Sequence, residues 1–178
     1  MIKRFPLAST YSIVARDPET GQFGLAVQSH WFSVGKIVAF AEAGVGVVAT
    51  QSMVESSYGP LGLALMRAKI SARAALNALL STDEGETVRQ VAMVDAQGIS
   101  ATHTGSRCIR HAGHVTGAGF SVQANMMASP DVWPAMESAY LSADGDFAER
   151  LLTALEAAEA AGGDIRGKQS SHILIVAA

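Results

Sequence analysis

The sequence predicts an α+β chain folded as a four-layer αββα sandwich: two stacked, mostly antiparallel sheets with a helix pair outside each. Three observations carry this expectation. Strand-like segments come in blocks joined by tight turns, which makes antiparallel neighbours. Helix-like segments come in pairs, and each pair needs a sheet face to cover. The two kinds of segment do not alternate as βαβα, which argues against a parallel doubly wound sheet, and no repeat of about 20–50 residues is visible.

The elements follow in order. TYSIVARD opens the first strand at Thr10, and FGLAVQ alternates Phe23, Leu25 and Val27 with Gly24, Ala26 and Gln28, the period of a half-buried strand. Between them Asp17-Pro18-Glu19-Thr20-Gly21 fixes φ at proline and frees it at glycine, which is hairpin chemistry. KIVAFAEA and GVGVVATQS read as a second strand pair bending at Ala43-Gly44. Ser57 and Pro60 then mark a helix start, and Ser71 caps a second helix with Ala72, Ala75, Leu76, Leu79 and Leu80 at helical spacing. RQVAMVD and ISATHT return to strand character, CIRHAGHVTGAG is broken by glycine and ambiguous, and FSVQANMM is a further strand. Its Phe120, Val122, Ala124 and Met126 face one way and Ser121, Gln123 and Asn125 the other. Two helices follow, one from Ser129-Pro130 with Val132, Met136 and Tyr140, the other with Phe147, Leu151, Leu155 and Ala158 up to Gly162-Gly163. SSHILIVA closes the chain as a buried strand.

The chain has 178 residues, 49% hydrophobic and 16% charged. That composition excludes disorder and fits a single domain, taken as residues 10–178, behind a short, loosely held leader of residues 1–9. The apolar excess favours a homo-oligomer, most simply a dimer. A net charge of −3 without a Lys/Arg block leaves no electrostatic footprint for nucleic acid or an anionic membrane. One cysteine, Cys108, precludes an intramolecular disulfide and points to a reducing, cytoplasmic setting. No apolar run reaches membrane-span length, and MIKRFPLAS lacks the apolar core of an export signal.

TYSIVARDPETGQFGLAVQSHWFSVG, AEAGVGVVATQS, SYGPLGLALMRA, RQVAMVDAQG, GFSVQANMM and GGDIRGKQSS together resemble the DUF1028 family over essentially residues 10–178. The resemblance implies the fold of N-terminal nucleophile (Ntn) hydrolases, an αββα sandwich. In those enzymes the first residue of the mature chain attacks an amide carbonyl and its own α-amine is the general base. The α-amine titrates at about 7.7–8.0, near operating pH, whereas a threonine hydroxyl is a poor nucleophile without a base. The resemblance places Thr10 at the nucleophile position, and a free amine there requires cleavage of the Ser9–Thr10 bond. It also implies a context: some relatives are joined to Rid-type imine deaminase domains or to a peptidoglycan-binding-like module.

Around Thr10 the other candidates follow from the hairpin, which returns its second strand beside the first. Gln28, Ser29 and His30 then lie near Thr10, His30 as a substitute base, or else as a solvated loop residue. Gln51 and Ser52 end the fourth strand and can bind polar substrate groups, or serve ordinary turn chemistry. Gln123 and Asn125 on one strand face either knit the sheets together or hold a ligand. Asp164, Arg166, Gln169 and Ser170 in GGDIRGKQSS either bind a substrate carboxylate or brace the loop. Lys36 reads as the polar first residue of a strand, and Cys108 as a small buried thiol. His103, His111 and His114 lack metal-ligand spacing, so neither a metal nor a cofactor is expected. Two functions remain: hydrolysis of an amide or related C–N bond in a small-molecule substrate, or a non-catalytic ligand-binding or assembly protein on the same fold.

Overall fold

A computed structural model describes residues 7–178. The strands are β1 (Leu7–Ala8), β2 (Thr10–Arg16), β3 (Phe23–Ser29), β4 (Ala39–Glu42), β5 (Gly46–Met53), β6 (Arg89–Asp95), β7 (Ser100–Thr104), β8 (Gly113–Gly117), β9 (Phe120–Asn125) and β10 (Ser170–Val176). The helices are α1 (Gly35–Val38), α2 (Tyr58–Arg67), α3 (Ala72–Leu80), α4 (Val132–Ser142) and α5 (Phe147–Ala160). One sheet runs β1-β5-β6-β7 with β4 also paired to β5; the other runs β10-β3-β2-β9-β8. Every strand pairing is antiparallel. The αββα sandwich is therefore the fold.

Three layers of apolar contact hold it together, and strand alternation assigns each residue to its layer. Tyr11, Ile13, Ala15, Ala26, Val122 and Ala124 face α4 and α5 through Met136, Leu151 and Leu155. Val48, Val91 and Met93 face α2 and α3 through Leu63, Met66 and Leu76. Val14, Phe23, Leu25 and Val27 meet Val47, Ala49, Ala92 and Val94 between the sheets. Among the described residues no helix is long and apolar enough to cross a membrane.

The structure departs from the sequence expectations in five places. The closing strand β10 is an edge rather than a buried strand: among the described residues it pairs with β3 alone, and Ser171, His172 and Ile173 are exposed. Lys36 lies in the short helix α1 rather than opening a strand. Helical spacing lets Val34, Ile37 and Val38 all pack on the inter-sheet core, whereas a strand would turn Ile37 and Val38 to opposite faces. The ambiguous glycine-rich stretch contains a strand, β8, paired to β9. β9 stops at Asn125 because Met126 adopts a left-handed φ of +60°, which ends a ladder. The described end of the leader is not loose: Leu7 and Ala8 pair with Met53 and Ser52, and Ala8 and Ser9 are fully buried. Residues 1–6, the rest of that leader, lie outside the described residues.

Several carboxylates are held by cations, and this sets an acid limit on the fold. Burial raises the Asp83 pKa, but Arg89 Nε at 2.8 Å, the Gly85 N–H and the Tyr58 hydroxyl outweigh it and leave it below the usual range. Asp17 shows the same sign, burial being outweighed by the Thr20 hydroxyl, Arg150 and the Glu19 N–H. Glu159 is lowered chiefly by Lys168. A folded pKa below the unfolded one contributes stability above the unfolded carboxylate range, and that stability is lost as pH falls through the folded values. The urea midpoint should slip modestly between pH 7 and about 5, where the unfolded chain takes up a proton that the buried His114 imidazole resists, and fall more steeply below about pH 4 as the paired carboxylates protonate. A midpoint rising on acidification would contradict this assignment.

Candidate functional site

Thr10 opens β2 and lies in register with Ser29 of β3 on one side and Asn125 of β9 on the other. In an antiparallel pair such partners share a face, so all three project between the sheets. Ser170 of β10 is in turn opposite Ser29. The inner layer is thus divided along the strands: aliphatic toward Phe23 and Val94, polar toward Thr10.

Two oxygens frame the Ser9–Thr10 peptide. Thr10 Oγ1 donates to the Ala8 carbonyl at 2.8 Å and lies 3.2 Å from Ser29 Oγ. Ser29 Oγ donates to the Ser9 carbonyl at 2.5 Å. Thr10 is 0% exposed: the pairing of β1 with the end of β5 carries the preceding residues across from one sheet to the other and covers it. Ser52, at that end of β5, takes a left-handed φ of +69° opposite Ala8. The Thr10 carbonyl accepts from Gln51 Nε2 at 3.3 Å and from Asn125 Nδ2 at 3.4 Å. Asn125 Oδ1 is buried without a hydrogen-bond partner, an acceptor left open directly across from Thr10.

Behind this lies a ladder of buried amides joining the sheets. Gln51 Nε2 donates to Gln90 Oε1 at 2.8 Å, and Asn125 Nδ2 donates to the same oxygen at 3.0 Å. Gln90 Nε2 reaches the Ala124 carbonyl and Thr104 Oγ1, both at 2.9 Å. Ser12 Oγ donates to Gln51 Oε1 at 2.7 Å and stands 2.6 Å from Gln123 Nε2, while Ser121 Oγ donates to Gln123 Oε1 at 3.0 Å. Gln51 and Gln123 are 0% exposed, and their amide groups are occupied by these contacts. Gln90 is the residue the sequence reading did not single out. Its signal was present: in RQVAMVD it lies in phase with Ala92 and Val94, an amide on a core-facing row.

The GGDIRGKQSS loop closes the same end. Asp164 is buried, accepts from the His30 backbone N–H at 3.3 Å and the Arg166 backbone N–H at 2.9 Å, and has Arg166 Nε at 3.6 Å. The Gln169 N–H donates to the Ser29 carbonyl at 3.1 Å. Ser170 Oγ donates to the Trp31 carbonyl and accepts from the Val34 N–H. These contacts hold the segment after β3 in place. The His30 imidazole has a buried Nδ1 without a partner, and no contact joins its ring to Thr10 Oγ1.

The remaining candidates lie elsewhere. Burial pushes the Cys108 thiol up, and its Sγ contacts the Arg89 carbonyl. His103 Nε2 meets the Glu86 carbonyl and His114 Nδ1 meets Thr104 Oγ1; burial lowers the His114 pKa, with His103 adding to the shift. Among the described residues no three His, Cys, Asp or Glu side chains converge as a metal cage.

The family model DUF1028, a family of unknown function, matches residues 10–178. The crystal structure of protein SPO2555 from Silicibacter pomeroyi, also assigned to DUF1028, is similar with a TM-score of 0.89 and 35% identity, covering 94% of this chain and 73% of that one. Thiobacillus denitrificans BPH, solved in complex with epoxomicin, is similar with a TM-score of 0.52 and 15% identity, covering 94% and 98%. At that identity the likeness shows the fold alone. No curated protein is significantly similar to the chain.

Proposed function

The chain belongs to the DUF1028 family, and on that premise we propose that it is an Ntn-type hydrolase that cleaves an amide or related C–N bond of a small metabolite through Thr10. One observation carries the reading. The hydroxyl of Ser29 grips the carbonyl of the very bond whose cleavage frees the Thr10 amine, and the Thr10 hydroxyl is beside it.

In the processing step, Thr10 Oγ1 adds to the Ser9 carbonyl carbon. The oxyanion forms where Ser29 Oγ already donates, which is the electrostatic help that step needs. The Ser9–Thr10 C–N bond breaks, the hydroxyl proton passes to the departing nitrogen, and water hydrolyses the resulting ester. Departure of the leader uncovers Thr10 and leaves Ser29 Oγ available to a substrate carbonyl in the place of the Ser9 carbonyl. The new α-amine then takes the hydroxyl proton in each turnover. Asn125 Oδ1, the buried acceptor opposite Thr10, is suited to receive a hydrogen bond from that amine. Asp164, Gln169 and Ser170 keep the β3 end in register, and Gln51 and Asn125 fix the Thr10 carbonyl.

The experiment is intact mass against time on freshly purified protein, coupled to an amide-hydrolysis screen. A species beginning at Thr10 whose appearance parallels activity supports the reading; activity from a chain that stays uncleaved overturns it. A second reading, a non-catalytic ligand-binding or assembly protein, is favoured by the complete burial of Thr10 and the pairing of β1. It predicts a stable full-length mass and no turnover. On partners the proposal includes a small-molecule substrate and a homodimer, the latter motivated by Phe32 at 79% and Leu141 at 65% exposure. Light scattering showing only a monomer would remove the dimer.

A further inference from the structure

The outer face of the second sheet holds an amide that the fold does not use. Gln28 is 4% exposed, yet neither its Oε1 nor its Nε2 has a hydrogen-bond partner. It follows Gly24 and Ala26 on the row of β3 that faces α5, and its register neighbours across the sheet are Tyr11 and Ser171. A residue whose only task was to fill space there would be apolar, as Ile13 and Ala26 are. A buried amide with both ends open is a binding group awaiting its complement.

That amide lines a cleft of about 400 Å³ between β3, α5 and the loop before β10. Leu152 and Leu155 give it an apolar wall, and Glu156, Glu159 and Lys168 stand at its rim. Lys168 Nζ is 2.9 Å from Glu159 Oε1, and the Tyr11 hydroxyl donates to Glu159 Oε2 at 2.9 Å. Burial and Glu159 push the Tyr11 phenol up, so it stays a neutral donor. Two carboxylates against one ammonium leave the rim with a net negative charge.

We propose that this cleft binds a small cationic amide: a primary carboxamide pairing with Gln28, an aliphatic body against Leu152 and Leu155, and an ammonium at the Glu156/Glu159 rim. A carboxamide is the group that satisfies both ends of Gln28 at once, giving its N–H to Oε1 and accepting from Nε2. A carboxylate supplies acceptors only and leaves Oε1 unpaired, while the acidic rim repels it. The site stands on the opposite side of the sheet from Thr10, since Gln28 and Ser29 alternate in direction. It does not rest on the hydrolase reading.

The test uses the full chain, with L-leucinamide as the probe, followed by calorimetry and by the Gln28 side-chain N–H₂ resonances, identified by their loss in Gln28→Leu. L-Leucinamide should bind with a Kd on the order of 1 mM and shift those resonances. Gln28→Leu should weaken it at least about tenfold, and L-leucine should bind at least about tenfold more weakly than the amide. Gln28→Glu, which keeps the volume but supplies only acceptors when ionised, should lose the preference for amide over acid even if Gln28→Leu folds poorly. Equal binding of isoamylamine, which has the cation and the aliphatic body without the amide, would overturn the proposal. So would Gln28 resonances unmoved at saturating probe, which would leave the cleft to water alone.

Discussion

Thr10→Ala remains at full length and shows no amide turnover, a loss on the order of 10⁴-fold or more for an enzyme that depends on that nucleophile. The fold survives the change. Removing a hydroxyl and a methyl at a fully buried position costs about 1–2 kcal/mol, so circular dichroism is unchanged while the thermal midpoint falls by a few degrees. Ser29→Ala separates the two roles of this pair. It removes the donor at the Ser9 carbonyl and should slow cleavage by on the order of 10²–10³, while a chain begun at Thr10 with Ser29 intact needs no cleavage and is active at once. Thr10→Ser keeps the hydroxyl and should still process. Turnover by Thr10→Ala at the native rate would remove Thr10 from the chemistry. Cleavage of Ser29→Ala at the native rate would reduce Ser29 to a brace.

Strand alternation and turn chemistry made most of the fold legible. The Asp17–Gly21 turn fixed the first hairpin, and the row Ser121, Gln123, Asn125 faces inward as its period of two required. Short apolar runs were less decisive. KIVAFAEA contains a helical turn and a strand, and only the packing of Val34, Ile37 and Val38 onto a distant sheet separates them. At the site, the hairpin placed Ser29 beside Thr10 without knowledge of the tertiary fold. The grip of Ser29 on the Ser9 carbonyl depends instead on β1 crossing to the other sheet, a contact that no local pattern encodes. Gln90 was passed over, and Gln28 was grouped with Ser29 beside Thr10 although strand alternation turns it to the other face. Each is an amide in phase with aliphatic neighbours, and whether such an amide is satisfied depends on what the opposite layer brings to it.

Gln90→Leu carries the largest expected loss of stability, and its effect reaches Thr10. Gln90 is 0% exposed and accepts from both Gln51 Nε2 and Asn125 Nδ2. Its own Nε2 serves the Ala124 and Gly113 carbonyls and Thr104 Oγ1. Leucine is close in volume, so no large cavity opens; the cost is the set of polar groups left behind in a dry layer. At about 1–3 kcal/mol for each unsatisfied group, with partial relief from the contacts Gln51 and Asn125 keep to the Thr10 carbonyl, the net loss is about 3–4 kcal/mol. Urea unfolding should show it as a lower midpoint with an unchanged slope. Gln51 and Asn125 also lose the anchor that aims them at Thr10, so cleavage of the Ser9–Thr10 bond should slow even where the variant is folded. A double change, Gln90→Leu with Asn125→Leu, removes one orphaned donor together with its lost acceptor and should cost less than the two single changes summed. Strict additivity would mean that the two amides are not coupled, and that the polar layer is a set of separate contacts rather than one ladder.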